Sequence, residues 1–319
     1  MVTTAGNARS AEYDAFGPWI DVITDRDDIP RLYRGFPFDL AAAELVLKVP
    51  RAISRKDATP SMDLYDHLIV VGAELLTVLS RNPGDDHGSG FDELTVGFEQ
   101  LAIVEDRTNL LDGLLTIRTL SGESISFAYN GASEKVVARL VDLLRRREQA
   151  AIPALPPGAR LPSLPSAPLP PLGLDDLGRK DAVLVTAFHD LAGREPGLRL
   201  LAAHGRRALA VSGGTLTTLS HLVKPAVLHG ALLCATGTEL QLLSRGVWIA
   251  RGGAPVLSRA RTIVPLAKLA EVTSRTHPVY QDVALLTLVV GGSSTEVVVP
   301  QASRLATVLL GLLPAPARF

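Results

Sequence analysis

The chain has 319 residues, 47% of them hydrophobic and 20% charged, enough apolar material for two packed cores. A formal net charge of −1 excludes a general nucleic-acid binder, in which a basic stripe supplies most of the affinity. The single cysteine, Cys234, excludes an intramolecular disulfide; it lies in the apolar run Ala231–Ala235 and is expected to be a buried small hydrophobe in a reducing compartment.

The charge is unevenly placed. Residues 1–150 carry 16 Lys and Arg against 24 Asp and Glu, a net of −8, and residues 151–319 carry 16 against 9, a net of +7. This split suits two complementary domains that attract each other, within one chain or head to tail; the alternative is an acidic partner for the basic half.

Residues 1–40 form an N-terminal arm. Its first ten residues lack the apolar core of a secretory signal, so a cytoplasmic protein is expected. Tyr13, Phe16, Trp19, Tyr33, Phe36 and Phe38 are six of the chain's 15 aromatics. They could anchor a protein partner, or the arm could fold back over its own domain. Asp25, Asp27 and Asp28 lack the glycine and terminal glutamate of a calcium loop and read as solvated charge.

A first domain is expected over residues 41–149. Glu44–Pro50 is its first strand, and Leu68–Val71, Gly72 and Glu74–Leu79 predict two more around a tight turn. Leu114–Leu120 and Ser124–Tyr129, joined through Ser121 and Gly122, make the clearest hairpin. Ser133 is a natural N-cap for a helix carrying Val136, Val137, Leu140, Val141 and Leu144, with Arg145–Arg147 at its end as solvated charge.

Residues 150–176 hold eight of the 22 prolines and predict an extended, semi-rigid linker; the PxxP spacing at Pro162, Pro165, Pro168 and Pro171 could also serve as a polyproline ligand. A second domain follows over 177–319, and it repeats the first. Val96–Thr108 and Val264–Thr276 match at six of thirteen positions without a gap. Gly72–Arg81 faces Gly237–Arg245, the 114–129 hairpin faces Leu285–Val299, and the first helix faces one running from Ser303 to a stop at Pro314. Leu198–Ala203 is the corresponding first strand. Offsets of 165, 168 and 171 are those of a duplicated domain, far longer than solenoid periods of roughly 20–50 residues.

A bent antiparallel meander closed by one C-terminal helix, occurring twice, resembles the pleckstrin-homology-like superfold, particularly the bacterial PH-like domains. The resemblance covers about residues 40–148 and 195–313, without the helix tryptophan common in eukaryotic members. It implies an α+β fold of two PH-like domains, each a bent antiparallel sheet or partly open barrel. PH domains that bind phosphoinositides use basic residues on and after the first strand. Lys48, Arg51 and Arg55 fall there in the first unit, and Arg199, Arg206 and Arg207 in the second; solvated strand-edge charge is their plainer reading.

No catalytic constellation is evident. The seven histidines form no HExxH, Gly88–Gly90 is no nucleophile elbow, and the pairs Gly213–Gly214 and Gly252–Gly253 read as turns. No cofactor or metal is expected. The expected function is a non-enzymatic adaptor that binds a protein partner, or itself. The alternative is a peripheral module docking its basic half on anionic lipid at the inner face of the membrane.

Overall fold

Runs of alternating apolar residues bounded by glycine become antiparallel strands, as period-two patterning requires. The computed structural model describes residues 11–83, 90–152, 162–165, 169–170, 172–212, 225–251 and 258–313. In chain order these contain β1 (Asp21–Val22), β2 (Leu45–Pro50), β3 (Tyr65–Val71), β4 (Leu75–Arg81), β5 (Phe91–Gly97), β6 (Leu101–Asn109), β7 (Asp112–Thr119), β8 (Ser124–Asn130) and helix α1 (Glu134–Ala151). There follow α2 (Ala182–Arg194), β9 (Arg199–His204), β10 (Arg207–Ala208), β11 (Ala226–Leu228), β12 (Ala231–Ala235), β13 (Glu239–Ser244) and β14 (Ile249–Arg251). The last elements are β15 (Ser258–Pro265), β16 (Glu271–Thr276), β17 (Val283–Val290), β18 (Ser293–Pro300) and α3 (Arg304–Leu310). The protein is α+β, with antiparallel sheets and few helices, and no sheet closes into a barrel among the described residues.

The two sequence halves run through elements in the same order. β5, a 3-10 turn at Phe98–Gln100 and β6 correspond to β15, a 3-10 turn at Leu266–Lys268 and β16 at the 168-residue offset. β17 lies 171 residues after β7, and both are eight residues long.

The compact units nevertheless do not follow the halves. Unit 1 comprises Met1–Leu101, Leu111–Leu115 and Ile125–Pro153; unit 2 comprises Ala102–Leu110, Thr116–Ser124 and Ala154–Phe319. The cause is β6, which pairs with β15 from Val104↔Ile263 to Asn109↔Ser258. A strand from the first sequence half is thereby built into unit 2.

In unit 1 the strands β1-β2-β3-β4-β5 form a five-stranded meander. One face is covered by the N-terminal arm, whose 3-10 turns at Arg26–Asp28 and Arg31–Tyr33 bring Ile29 and Tyr33 onto Val46, Leu68 and Leu79. Ser133 stands at the N-cap of α1 but makes no cap bond; its hydroxyl instead accepts from Ile20 N at 2.9 Å. Asn130 caps the preceding 3-10 turn by accepting from Ala132 N at 2.9 Å. The arginines expected as a solvated helix end are partly spent: Arg145 pairs with Asp142 at 3.2 Å and Arg147 with Glu44, while Arg146 is exposed.

In unit 2, part of a seven-stranded sheet runs β6-β15-β13-β12-β9, with β16-β17-β18 as a second sheet and β10-β11-β14 as a third. Leu201, Leu233, Leu240, Leu286, Val297 and Leu309 are among the buried residues of its main core, and burying each such side chain stabilises by about 1.5–3 kcal/mol. Ser303 caps α3, accepting from Ala306 N at 3.1 Å.

The proline-rich segment differs from a free spacer where it is described. Ser163 N donates to Leu312 O at 2.9 Å, Leu164 packs on the main core, and Leu172 and Leu177 are buried beneath α2. Leucines alternating with the prolines supply this packing surface. Pro168 and Pro171 lie outside the described residues.

The β7–β8 and β17–β18 turns meet within unit 2. Gly292 N donates to Leu120 O at 2.7 Å, and the buried Ser293 hydroxyl donates to Thr119 O at 2.7 Å. Gly291 has φ +60°, and a Cβ there would lie 2.8 Å from Leu120 O. Replacing Gly291 by Ala combines a backbone clash with a disfavoured φ, so chemical denaturation is expected to show a loss of about 2 kcal/mol or more.

Candidate functional site

The six arm aromatics are largely consumed by their own unit. Tyr33 is 0% exposed and its hydroxyl donates to Asp66 O at 2.8 Å; burial raises its pKa above the usual phenol value. Phe16 is buried and packs edge-on to Tyr65, with ring centroids 6.0 Å apart. Phe36 and Phe38 are half-buried against the same cluster, and Phe36 also meets Phe91 edge-on. Tyr13 packs there too, beneath the Arg55 guanidinium at 4.4 Å. Trp19, 53% exposed, is the one member left open. The arm therefore folds back over its sheet, and Arg31 fastens it by donating to Asp63 at 2.8 Å and to Pro60 O at 3.0 Å.

The basic residues of unit 1 are engaged by groups of that unit. Lys48 is 8% exposed, with its ammonium 5.3 Å from the Tyr65 ring centroid and 3.4 Å from Asp28 O. Arg51 donates to Asp63 O at 3.2 Å and Arg55 to Phe16 O, so all three cations are engaged inside unit 1. In unit 2, Arg199 and Arg207 are exposed on β9 and β10, while Arg206 is half-buried and turned to His229. This last group keeps free basic surface only at Arg199 and Arg207.

A buried charge cluster in unit 2 went unread in the sequence. Asp181, 0% exposed, sits immediately before α2. Its Oδ2 accepts from Gly230 N at 2.9 Å, and its Oδ1 lies 3.4 Å from Nε of the enclosed Arg245. Arg245 also donates to Lys180 O at 3.2 Å. Arg206 Nη1 lies 3.2 Å from His229 Nδ1; a guanidinium only donates, so this imidazole nitrogen is the acceptor and His229 is neutral. Burial, then Arg206, hold the His229 pKa below its usual value, against a smaller pull from Asp181. His204 is likewise lowered, first by burial; its Nδ1–H donates to Gly205 O at 3.2 Å, and its Nε2 meets no partner among the described residues.

The sequence did carry a signal for this cluster. Arg245 closes the repeated Ser-Arg ending, and its counterpart Arg81 pairs with Asp66 at 3.0 Å. Each copy thus uses the arginine that closes the Ser-Arg ending to hold a carboxylate. The carboxylates themselves lie at unrelated sequence distances, so no spacing marks them.

A second network joins β13 and β15 to the residue after α2. The Gln241 amide donates to Glu195 and Glu239, both at 2.7 Å, and Arg261 donates to Glu195 at 2.6 Å and to Gln241 at 3.1 Å. These groups bond one another, with the Arg261 and Glu195 side chains each 17% exposed.

Cys234 is fully buried and its thiol is pushed up to about 12 by burial, so it stays protonated and unreactive at neutral pH. The apolar crevice between Leu233, Leu242, Val264, Leu288 and Leu309 amounts to about 10 Å³, room for one water-sized atom. Among the described residues no three His, Cys, Asp or Glu side chains gather at metal-binding distance, and no helix is long and apolar enough to cross a membrane. His87, His221, Gly88, Ser89, Gly213, Gly214, Gly252 and Gly253 lie outside the described residues. No protein-family profile, curated protein or solved structure matches the chain.

Removing one partner of a buried ion pair strands the other charge. Asp181→Asn is therefore expected to cost about 3–5 kcal/mol, measured as the shift in urea midpoint at constant slope. The apolar double replacement Asp181→Leu with Arg245→Met should cost less than the single change.

The histidines set a second expectation. His67, His204, His229 and His277 all have pKa values lowered in the native state, in each case chiefly by burial. Their stabilising contribution is complete above the unfolded value of about 6.5 and is lost as pH falls through the lower native values. Urea midpoints should decline below about pH 6.5, and replacing His204 and His229 by Gln should flatten that decline.

Proposed function

We propose that this chain is a non-enzymatic adaptor, built on two PH-like frameworks, that holds a protein partner through exposed apolar surface. The order of elements in each half supports the PH-like reading: four main strands, a 3-10 turn, three further strands and a closing helix.

The observation that carries the adaptor reading is the two-residue turn between β6 and β7. Leu110 and Leu111 are 61% and 66% exposed, and Leu110 has φ +57°. Such a turn position favours Gly, Asn or Asp, because a leucine Cβ is crowded at positive φ. The chain therefore accepts both a strained backbone and two solvated leucines.

The second half shows the ordinary solution. Its connection from β16 to β17 has Asp282 at φ +55°, and it is tied down by Ser212 N donating to Val279 O and Gln281 N to Ala210 O. Solvated leucines on a strained turn are what a contact surface requires and what an isolated fold disfavours.

The test separates stability from binding. Leu110→Asn should stabilise the protein by about 1 kcal/mol, because Asn tolerates the left-handed conformation. The pair Leu110→Asn with Leu111→Ser should lose a partner that the wild-type chain captures from native lysate. Capture unchanged by the pair would reject the turn as the contact. Salt-sensitive recovery with anionic but not neutral vesicles, abolished by Arg199→Glu with Arg207→Glu, would replace the adaptor reading with the lipid one.

A further inference from the structure

We infer that the chain also associates with a second copy of itself, by pairing the open edge of β5 in one copy with the open edge of β16 in the other. This goes beyond the adaptor reading and uses different residues from the Leu110–Leu111 turn.

The inference starts from the one strand pair that joins the sequence halves. β15 has β13 along one edge and β6 along the other. β5 and β16 are the counterparts of β15 and β6 at the 168-residue offset, and they lack that contact. Among the described residues β5 pairs only with β4, β16 pairs only with β17, and each is the terminal strand of its sheet.

An open edge presents a row of backbone donors and acceptors to any strand that fits, and proteins usually blunt it with charged side chains, proline or a bulge. β16 reads Glu-Val-Thr-Ser-Arg-Thr, with no proline and no bulge; its charges are one Glu and one Arg of opposite sign, and its residues are exposed except the half-buried Val272. In β5, Asp92, Glu93 and Thr95 are exposed.

The known pairing supplies the register. Val104↔Ile263, Glu105↔Thr262, Asp106↔Arg261, Arg107↔Ala260 and Thr108↔Arg259 are observed. Transposed by the offset, they become Val272↔Thr95, Thr273↔Leu94, Ser274↔Glu93, Arg275↔Asp92 and Thr276↔Phe91. In the observed pair an arginine stands opposite an aspartate, and in the transposed pair one does again.

Both charges are available for exchange. Arg275 is paired with Glu296 at 2.7 Å on an exposed surface, and the Asp92 carboxylate lies 2.9 Å from the end of the Asn82 side chain. Exposed pairs of this kind hold weakly. The opposite net charges of the two sequence halves favour the same approach, β5 coming from the acidic half and β16 from the basic one.

Sedimentation velocity over a concentration series tests the inference. The wild-type chain should self-associate. Asp92→Arg and Arg275→Asp should each weaken association by about fivefold or more, as like charges placed opposite each other do. An equimolar mixture of the two variants should regain association, because each supplies the edge that the other has lost; so should the double variant. Unchanged thermal midpoints would show that the exposed substitutions leave the fold intact.

A monomeric wild-type chain at every concentration would overturn the inference, as would single variants that associate like wild type, or a mixture that does not recover. A monomeric chain that captured another protein, and lost it with Asp92→Arg or Arg275→Asp, would show that the edges take a foreign strand and not a second copy. Loss of capture with the Leu110 and Leu111 replacements alone reports on the adaptor reading, so the two ideas fail separately.

Discussion

The antiparallel pairing of β6 with β15 is the constraint from which the rest of the architecture follows. It holds Thr108 beside Arg259, 151 positions away, with the guanidinium donating to the hydroxyl at 3.0 Å. Closing so long a loop is costly in chain entropy, though the cost grows only slowly with length. A continuous ladder and a buried flank offset it. Glu105 is nearly enclosed on β6, and Arg107 and Arg118 lie beside its carboxylate at 2.6 and 3.4 Å. Because this strand comes from the first half of the sequence yet belongs to unit 2, neither half of the sequence is a self-sufficient piece. Cutting the chain between them would open both flanks of the ladder.

The polar interior serves the same end. Asp181, Arg245, His229 and the Gly230 amide fix the start of α2 to the connections around β12 and β13. Glu195, just past its other end, is fixed by Arg261 and Gln241. A helix of 13 residues with a modest apolar face is thus held at both ends by charge-assisted contacts. Such groups stabilise only while fully paired, since each buried charge carries a desolvation cost of its own. These ionisable clusters are therefore read as parts of the framework.

Much of this was legible in the residues. Strands, glycine turns and closing helices emerge from period-two runs, from Gly72, Gly122 and Gly291, and from the helical spacing of Val137, Leu140 and Leu144. The partner of an edge is not written locally. Nothing in Val104–Asn109 distinguishes pairing with the preceding meander from pairing with Ser258–Ile263, because alternation specifies a face and leaves the neighbour open. The arm was ambiguous for a related reason: an aromatic suited to an interface is equally suited to a core. Only the geometry separates Tyr33, enclosed over Leu68, from Trp19. The Asp181 cluster was hidden because carboxylate and arginine meet through tertiary packing, with no periodic mark.

Comparing the two copies with each other locates what the framework leaves free. Positions that build the core keep their chemistry: Leu101 and Leu269 are both buried, as are Val96 and Val264. Positions on turns and edges do not. The left-handed turn residue is an exposed leucine in one copy and an aspartate in the other. Among the described residues, β15 is flanked by β6 and its counterpart β5 has a strand on one edge only. Packing density enforces agreement in the interior, where a misplaced methylene is felt, while solvent enforces nothing of the kind at a hairpin tip. A solvated Leu110 at positive φ runs against the usual preference for Gly, Asn or Asp at such a position, a preference that the Asp282 of the other copy follows.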